Sequence, residues 1–178
     1  MISAILITKE KVYPQKVLDS LQGFDEIIIE TECPCIYRRY ELALQAKNDL
    51  IYIQDDDCII DWRKLYKHYD GKLTNAITEH HKDYYKDLGM TLIGFGAFIT
   101  KDMINFEPYL TKYDMDELFL MQTDRIFTYL NKPFNSVVME IEQLPSSTAP
   151  QRMSTTAGHY ENLAEVKKRL DTLPKTNV

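Results

Sequence analysis

The sequence predicts a single α/β domain, a three-layer α/β/α arrangement around a mostly parallel central sheet. Three short apolar runs, Ala4–Ile7, Ile27–Ile29 and Leu50–Ile53, are nearly continuous rather than alternating, as strands covered on both faces are. Helix-like segments separate them, and the order β-α-β-α-β builds parallel sheets through right-handed crossovers. The 178 residues suit one such domain, and no linker is long enough to separate two.

Each element has its own reason. Gln15–Gln22 carries Val17, Leu18 and Leu21 on one face, with Gly23 as a stop. Tyr37–Lys47 places Tyr40, Leu44 and Lys47 on one side, with Ala43 beside them. Trp62–Leu73 reads as a helix packing through Leu65, Tyr66 and Tyr69, while Thr74–Lys86 is polar, Tyr-rich and without an assignable period. Thr91–Thr100 reads as a strand pair or bent strand, in which Gly94 and Gly96 permit a bulge or a close backbone approach. Asp114–Leu130 is the longest helix candidate, with Leu118, Phe119, Gln122, Ile126 and Leu130 recurring until Asn131-Lys132-Pro133 stops it. Phe134–Ile141 is a strand candidate, Leu144–Ala157 a loop rich in Ser, Thr and Pro, and Glu161–Leu173 a charged helix.

Composition narrows the function. At 44% apolar and 27% charged residues the chain is not disordered. Its formal net charge of −6 argues against a main role in gripping phosphate backbones, although a local basic patch would still allow contact. The three cysteines, Cys33, Cys35 and Cys58, are too few for a secreted disulfide scaffold, and Cys33-Pro-Cys35 has neither zinc-knuckle nor redox-pair spacing. No apolar run nears the ~20 residues of a membrane span, and Met1–Lys9 lacks a signal-peptide pattern. The expectation is a soluble, cytoplasmic protein.

Asp55-Asp56-Asp57 directly follows the third apolar run and Gln54. Three adjacent carboxylates repel one another, and in open α/β sheets ligands bind beyond the carboxyl ends of strands. Hard cations such as Mg²⁺ or Mn²⁺ take oxygen ligands, often one or two carboxylates together with substrate phosphates. In strand geometry Asp55 and Asp57 point one way and Asp56 the other.

The text Ala4–Lys9, Glu26–Thr31 and Asp49–Ile59 resembles the GT-A family of nucleotide-sugar glycosyltransferases, which have a Rossmann-like nucleotide-binding half ending in an Asp-x-Asp motif. The resemblance covers roughly residues 3–160. It implies a nucleotide-binding half at 1–57, an acceptor and catalytic half at 58–143, a mobile loop at 144–160 and a C-terminal helix and tail at 161–178. It places Asp55 near the ribose and Asp57 on a metal, Mn²⁺ or Mg²⁺, with Asp55 joining directly or through water. Thr8 and Lys9 border the nucleotide, Glu30 and Thr31 lie near its base, and Arg38 and Arg39 are on the nucleotide side, as donor-binding candidates with Asp56. The segment Thr123–Leu130 resembles the one carrying the family's acidic catalytic residue, here Asp124, with Asp116 and Glu117 competing for the role. The usual Glu-Asp start is Thr-Asp here. His159 matches the late metal-binding His, and Arg152 is placed on the diphosphate within a closing loop.

The implied activity moves a sugar from a nucleotide diphosphate donor, a UDP-sugar such as UDP-glucose by preference, to a hydroxyl acceptor. The compact length resembles phage and bacterial enzymes, some of which glucosylate hydroxymethylated pyrimidines in DNA, and a phage origin would imply the host cytoplasm. Otherwise the acceptor is a glycan or small molecule. A DNA acceptor would need the basic stretch Arg63, Lys64, Lys67, Lys72, Lys82 and Lys86, partly offset by Asp70, Glu79 and Asp83. Leu92–Ile99 is a candidate acceptor wall, and Tyr84, Tyr85, Tyr109 and Tyr113 are candidate stacking surfaces. A nucleotidyltransferase would usually show a Gly-rich phosphate loop, which Thr8–Tyr13 lacks. A Ca²⁺-binding EF-hand fails because Ile60 and Tyr66 stand where Gly and Glu are needed. A non-catalytic binding protein on the same fold remains open.

Overall fold

The structure, a computed structural model, describes residues 1–82, 88–145 and 159–174, the side chains of 159–161 excepted. In chain order the elements are β1 (Ile2–Ile7), α1 (Gln15–Ser20), β2 (Glu26–Glu30), α2 (Arg38–Gln45), β3 (Leu50–Gln54), β4 (Cys58–Ile59) and α3 (Trp62–Tyr66). There follow β5 (Thr74–Ile77), β6 (Ala97–Thr100), α4 (Glu107–Leu110), α5 (Glu117–Leu130), β7 (Asn135–Val138), β8 (Glu142–Gln143) and α6 (His159–Leu170). Six strands form one sheet in the order β2-β1-β3-β6-β5-β7. β6 alone runs against its neighbours, so the sheet is mostly parallel. A short antiparallel ribbon pairs β4 with β8.

Strand alternation sends side chains to two separate cores. Ile5, Ile7, Ile51, Ile53, Ala97 and Ile99 pack on one face with Tyr40 and Ala43 of α2, Phe119 and Ile126 of α5, and Val166 and Leu170 of α6. Ala4, Leu6, Tyr52 and Phe98 pack on the other with Val17 of α1 and Trp62 and Leu65 of α3. The result is the expected α/β/α arrangement in one domain. Burying each large aliphatic side chain contributes about 1.5–3 kcal/mol.

Several local expectations are corrected. β2 is an edge strand with Ile27 and Ile29 each 41% exposed, so its apolar run is covered on one face only. On α2 the core stripe is Tyr40, Leu42, Ala43 and Ala46, while Leu44 is exposed. The helix from Trp62 ends at Tyr66, and Tyr66 is half-exposed. The unassigned segment after Leu73 contributes β5, buried throughout. Its polar Asn75 is satisfied by donating to Thr91 Oγ1 (2.8 Å) and the Leu92 carbonyl (2.6 Å) and accepting from Ser136 Oγ (2.8 Å). From Thr91 to Thr100 only β6 is strand, and a turn at Gly94 precedes it. The last helix begins at His159, so that residue opens a helix rather than ending a loop.

α5 and α6 are fastened at Asp116. Its carboxylate caps α5 by accepting from the Phe119 amide (2.9 Å) and pairs with Arg169 of α6 (2.8 Å). Asp116 thus serves the helix end. Among the described residues no helix is long and apolar enough to cross a membrane.

Candidate functional site

The sheet topology sets the location. The chain passes from β1 to β2 on one side and then to β3 on the other side of β1, so the carboxyl ends of β1 and β3 form a topological switch point, where open α/β sheets bind ligands. Thr8 follows β1, and Asp55-Asp56-Asp57 follows β3. β6 is antiparallel, so the Gly94 turn that precedes it lies at the same edge of the sheet.

β3 ends at Gln54, so the triplet leaves strand geometry and the expected alternation does not hold. Buried Gln54 donates to the Cys58 carbonyl (2.7 Å) and closes the acidic turn. The Asp55 amide donates to the Gly94 carbonyl (2.7 Å). Leu144, just after β8, donates its amide to the Asp57 carbonyl (2.7 Å). The three carboxylates then separate. Asp56 and Asp57 line an open cleft of about 580 Å³ together with Lys9, Glu10, Lys11, Glu32 and Pro145. Asp55 turns instead to Arg39, whose Nη2 lies 2.5 Å from its Oδ1.

Arg39 is 3% exposed and joins two acids. Its Nη1 donates to Asp124 Oδ2 at 3.0 Å, and Tyr40 Oη donates to Asp124 Oδ1 at 2.8 Å. The structure therefore brings Asp124 to Asp55 through α2. α5 loses helical geometry at Gln122, two residues before Asp124. Burial pushes the Asp124 carboxyl above its usual range. Arg39 opposes that push, the charge of Asp55 adds to it, and the Tyr40 hydrogen bond opposes it. Burial also raises Asp56, against the hydrogen bond donated by Thr8 Oγ1 and with the charge of Asp55. On Arg39, burial works to lower the pKa, but Asp124 and Asp55 outweigh it and hold the guanidinium charged.

The remaining sequence candidates fall in different places. Arg38 points away from this cluster and pairs with Glu30 (2.9 Å) and Glu41 (3.1 Å). Thr31 is exposed beyond β2. Tyr109 is fully buried against Tyr113 and Phe119 and serves packing. Lys64, Lys72 and Lys82 sit 3.5–3.9 Å from Asp61, Asp70 and Glu79 respectively. Cys33, Cys35 and Cys58 are free thiols. Arg152, Tyr84, Tyr85 and Lys86 lie outside the described residues, and His159 is described by its backbone alone.

The sequence grouped Arg39 with Arg38 on the nucleotide side, whereas Arg39 turns inward to Asp55 and Asp124, and Tyr40, Lys11 and Glu32 were not among the site candidates. The signal for Arg39 was present: positions 39, 42, 43 and 46 form one helical stripe, and three of the four are apolar. An arginine heading that stripe faces the interior, where it must be paired.

Among the described residues no group of three or more His, Cys, Asp or Glu side chains is arranged to hold a metal ion. A cation shared with a phosphate ligand needs only one or two carboxylates from the protein, and Asp56 and Asp57, both lining the cleft, meet that donor number.

No family model matches the chain, and no curated protein matches it. Among solved structures, the crystal structure of A197 from STIV is similar at a TM-score of 0.48 and 11% identity, covering 82% of this chain and 95% of that one.

Proposed function

We propose that this protein is a metal-dependent glycosyltransferase of the GT-A type, moving a sugar from a nucleotide diphosphate donor to a hydroxyl acceptor. One observation carries the reading. A cleft lined by Asp56 and Asp57 at the β1/β3 switch point adjoins Asp55, which Arg39 links to a partly buried acid, Asp124, on α5. The cleft volume, about 580 Å³, falls within the ~300–1,000 Å³ of small-molecule sites.

Lys9 and Lys11 line the cleft and supply positive charge for a diphosphate, and Thr8 donates to Asp56, which also lines it. Asp57, with Asp56 and Asp55 as further candidates, would hold Mn²⁺ or Mg²⁺. When bound, the ion supplies Lewis-acid neutralisation of charge on the leaving diphosphate. If the transfer inverts the anomeric carbon, Asp124 acts as general base: the acceptor oxygen bonds to that carbon, its bond to the diphosphate oxygen breaks, and the acceptor proton passes to the Asp124 carboxylate; in a retaining transfer Asp124 has another role. A carboxyl raised by burial is better matched to taking that proton near neutral pH.

UDP-glucose is the first donor to test. Hydroxymethylated pyrimidine in DNA is the first acceptor, on the resemblance of Thr123–Leu130, with glycans and small molecules for comparison. Release of free UDP and the mass gain of the acceptor are followed for wild type and Asp124→Asn with Mn²⁺. Turnover is expected to fall by about 10²–10⁴ in the variant. Unchanged turnover at saturating acceptor removes Asp124 as base, and binding without any turnover favours a non-catalytic donor-binding protein.

A further inference from the structure

We propose that Arg39 is the positioning residue of this site: one buried guanidinium joins Asp55 to Asp124, so that what engages Asp55 is felt at Asp124. The catalytic consequence rests on the transferase reading, whereas the bridge itself does not. The three residues come from α2, the end of β3 and α5, and are separated by 16 and 85 residues in sequence. Arg39 reaches Asp55 with Nη2 (2.5 Å) and Asp124 with Nη1 (3.0 Å). Its Nε is buried with no hydrogen-bond partner, so these two carboxylates are the anchors of the group. Tyr40, the next residue and fully buried, holds the other Asp124 oxygen at 2.8 Å. Arg38, one residue earlier, is 31% exposed and pairs with other acids, so the bridge is particular to position 39.

One positive charge serves two carboxylates here. A ligand that neutralises Asp55, the exposed arm of the bridge, leaves the buried guanidinium to Asp124 alone, and on that inner arm the change is screened less than at a surface. The planar fork of arginine lets separate nitrogens serve separate acids, which the single ammonium of lysine cannot reproduce.

The test substitutes Asp55→Asn as the perturbation and reads the ring resonance of Tyr40 in ¹³C-tyrosine-labelled protein. Asp55→Asn is expected to shift that resonance in the wild-type background. In Arg39→Lys the same change is expected to shift it by less than about half as much. Equal shifts in both backgrounds, or none in either, overturn the proposal. Should Arg39→Lys fail to fold, urea unfolding of Asp55→Asn, Asp124→Asn and the double variant decides. The double is expected to lose at least about tenfold more of the folding equilibrium than the product of the singles, because the buried guanidinium is then unpaired. Agreement with that product within about twofold overturns the bridge. If wild type transfers no sugar while Tyr40 responds as expected, the transferase reading falls and the bridge stands. If transfer occurs and Tyr40 does not respond, the reverse holds.

Discussion

Gly94 leaves the least room for change beside the acidic turn. A Cβ added there would lie 2.0 Å from Asp55 Oδ2 and 2.6 Å from its Cγ. Reaching the 3.4 Å of ordinary contact needs a displacement of about 1.4 Å. The Asp55 carboxylate can swing away, breaking its 2.5 Å contact with Arg39. Alternatively the turn shifts, breaking the 2.7 Å bond from the Asp55 amide to the Gly94 carbonyl. A hydrogen bond to a charged group is worth about 1.5–3 kcal/mol. Asp55 is 42% exposed, so solvent screening reduces the expected loss for Gly94→Ala to about 1–2 kcal/mol. Urea unfolding measures that loss, and calorimetry with UDP-glucose and Mn²⁺ is expected to show donor affinity down about tenfold or more. In an Asp55→Ala background the obstacle is gone, and Gly94→Ala should then cost little on either measure. Wild-type stability and affinity in Gly94→Ala, or an equal cost in both backgrounds, refute this account of the turn.

Two further predictions concern stability. Asp116→Ala removes the cap of α5 and the Arg169 ion pair; a loss of about 1–2 kcal/mol lowers Tm by about 2–8 °C, and an unchanged Tm contradicts the fastening of α5 to α6. Asp56 has its carboxyl raised in the folded state, first by burial. Its contribution to stability is therefore present below the unfolded pKa and lost as pH rises through the folded one. Asn stays neutral, so the stability of Asp56→Asn relative to wild type should rise between about pH 4 and pH 7 in urea titrations. A gap that stays constant or moves the other way contradicts the burial assigned to Asp56.

The first half of the fold was legible because its strands are apolar runs with helices between them. β5 was not, because Thr74 and Asn75 are polar residues in a buried strand, satisfied by the Lys72 carbonyl for Thr74 and by Thr91, Leu92 and Ser136 for Asn75. The edge position of β2 was equally hidden, since EIIIE reads the same whether one face or two are covered. At the site, position after an apolar strand pointed to Asp55–Asp57, and the resemblance of Thr123–Leu130 pointed to Asp124. Their orientation did not follow, because it depends on a turn that begins at the end of β3 and on an arginine from a different helix. Gly94 was read as a place of close approach, and what approaches it is the Asp55 carboxylate.

The central claim is that the acidic turn after β3 uses a divalent cation to bind a nucleotide sugar. Calorimetric titration of UDP-glucose into wild type and Asp57→Ala, each with and without Mn²⁺, tests it most directly. Mn²⁺ is expected to tighten binding to wild type by about tenfold or more, and Asp57→Ala to lose that gain while remaining folded. Mn²⁺-dependent binding of equal strength in both proteins would contradict it.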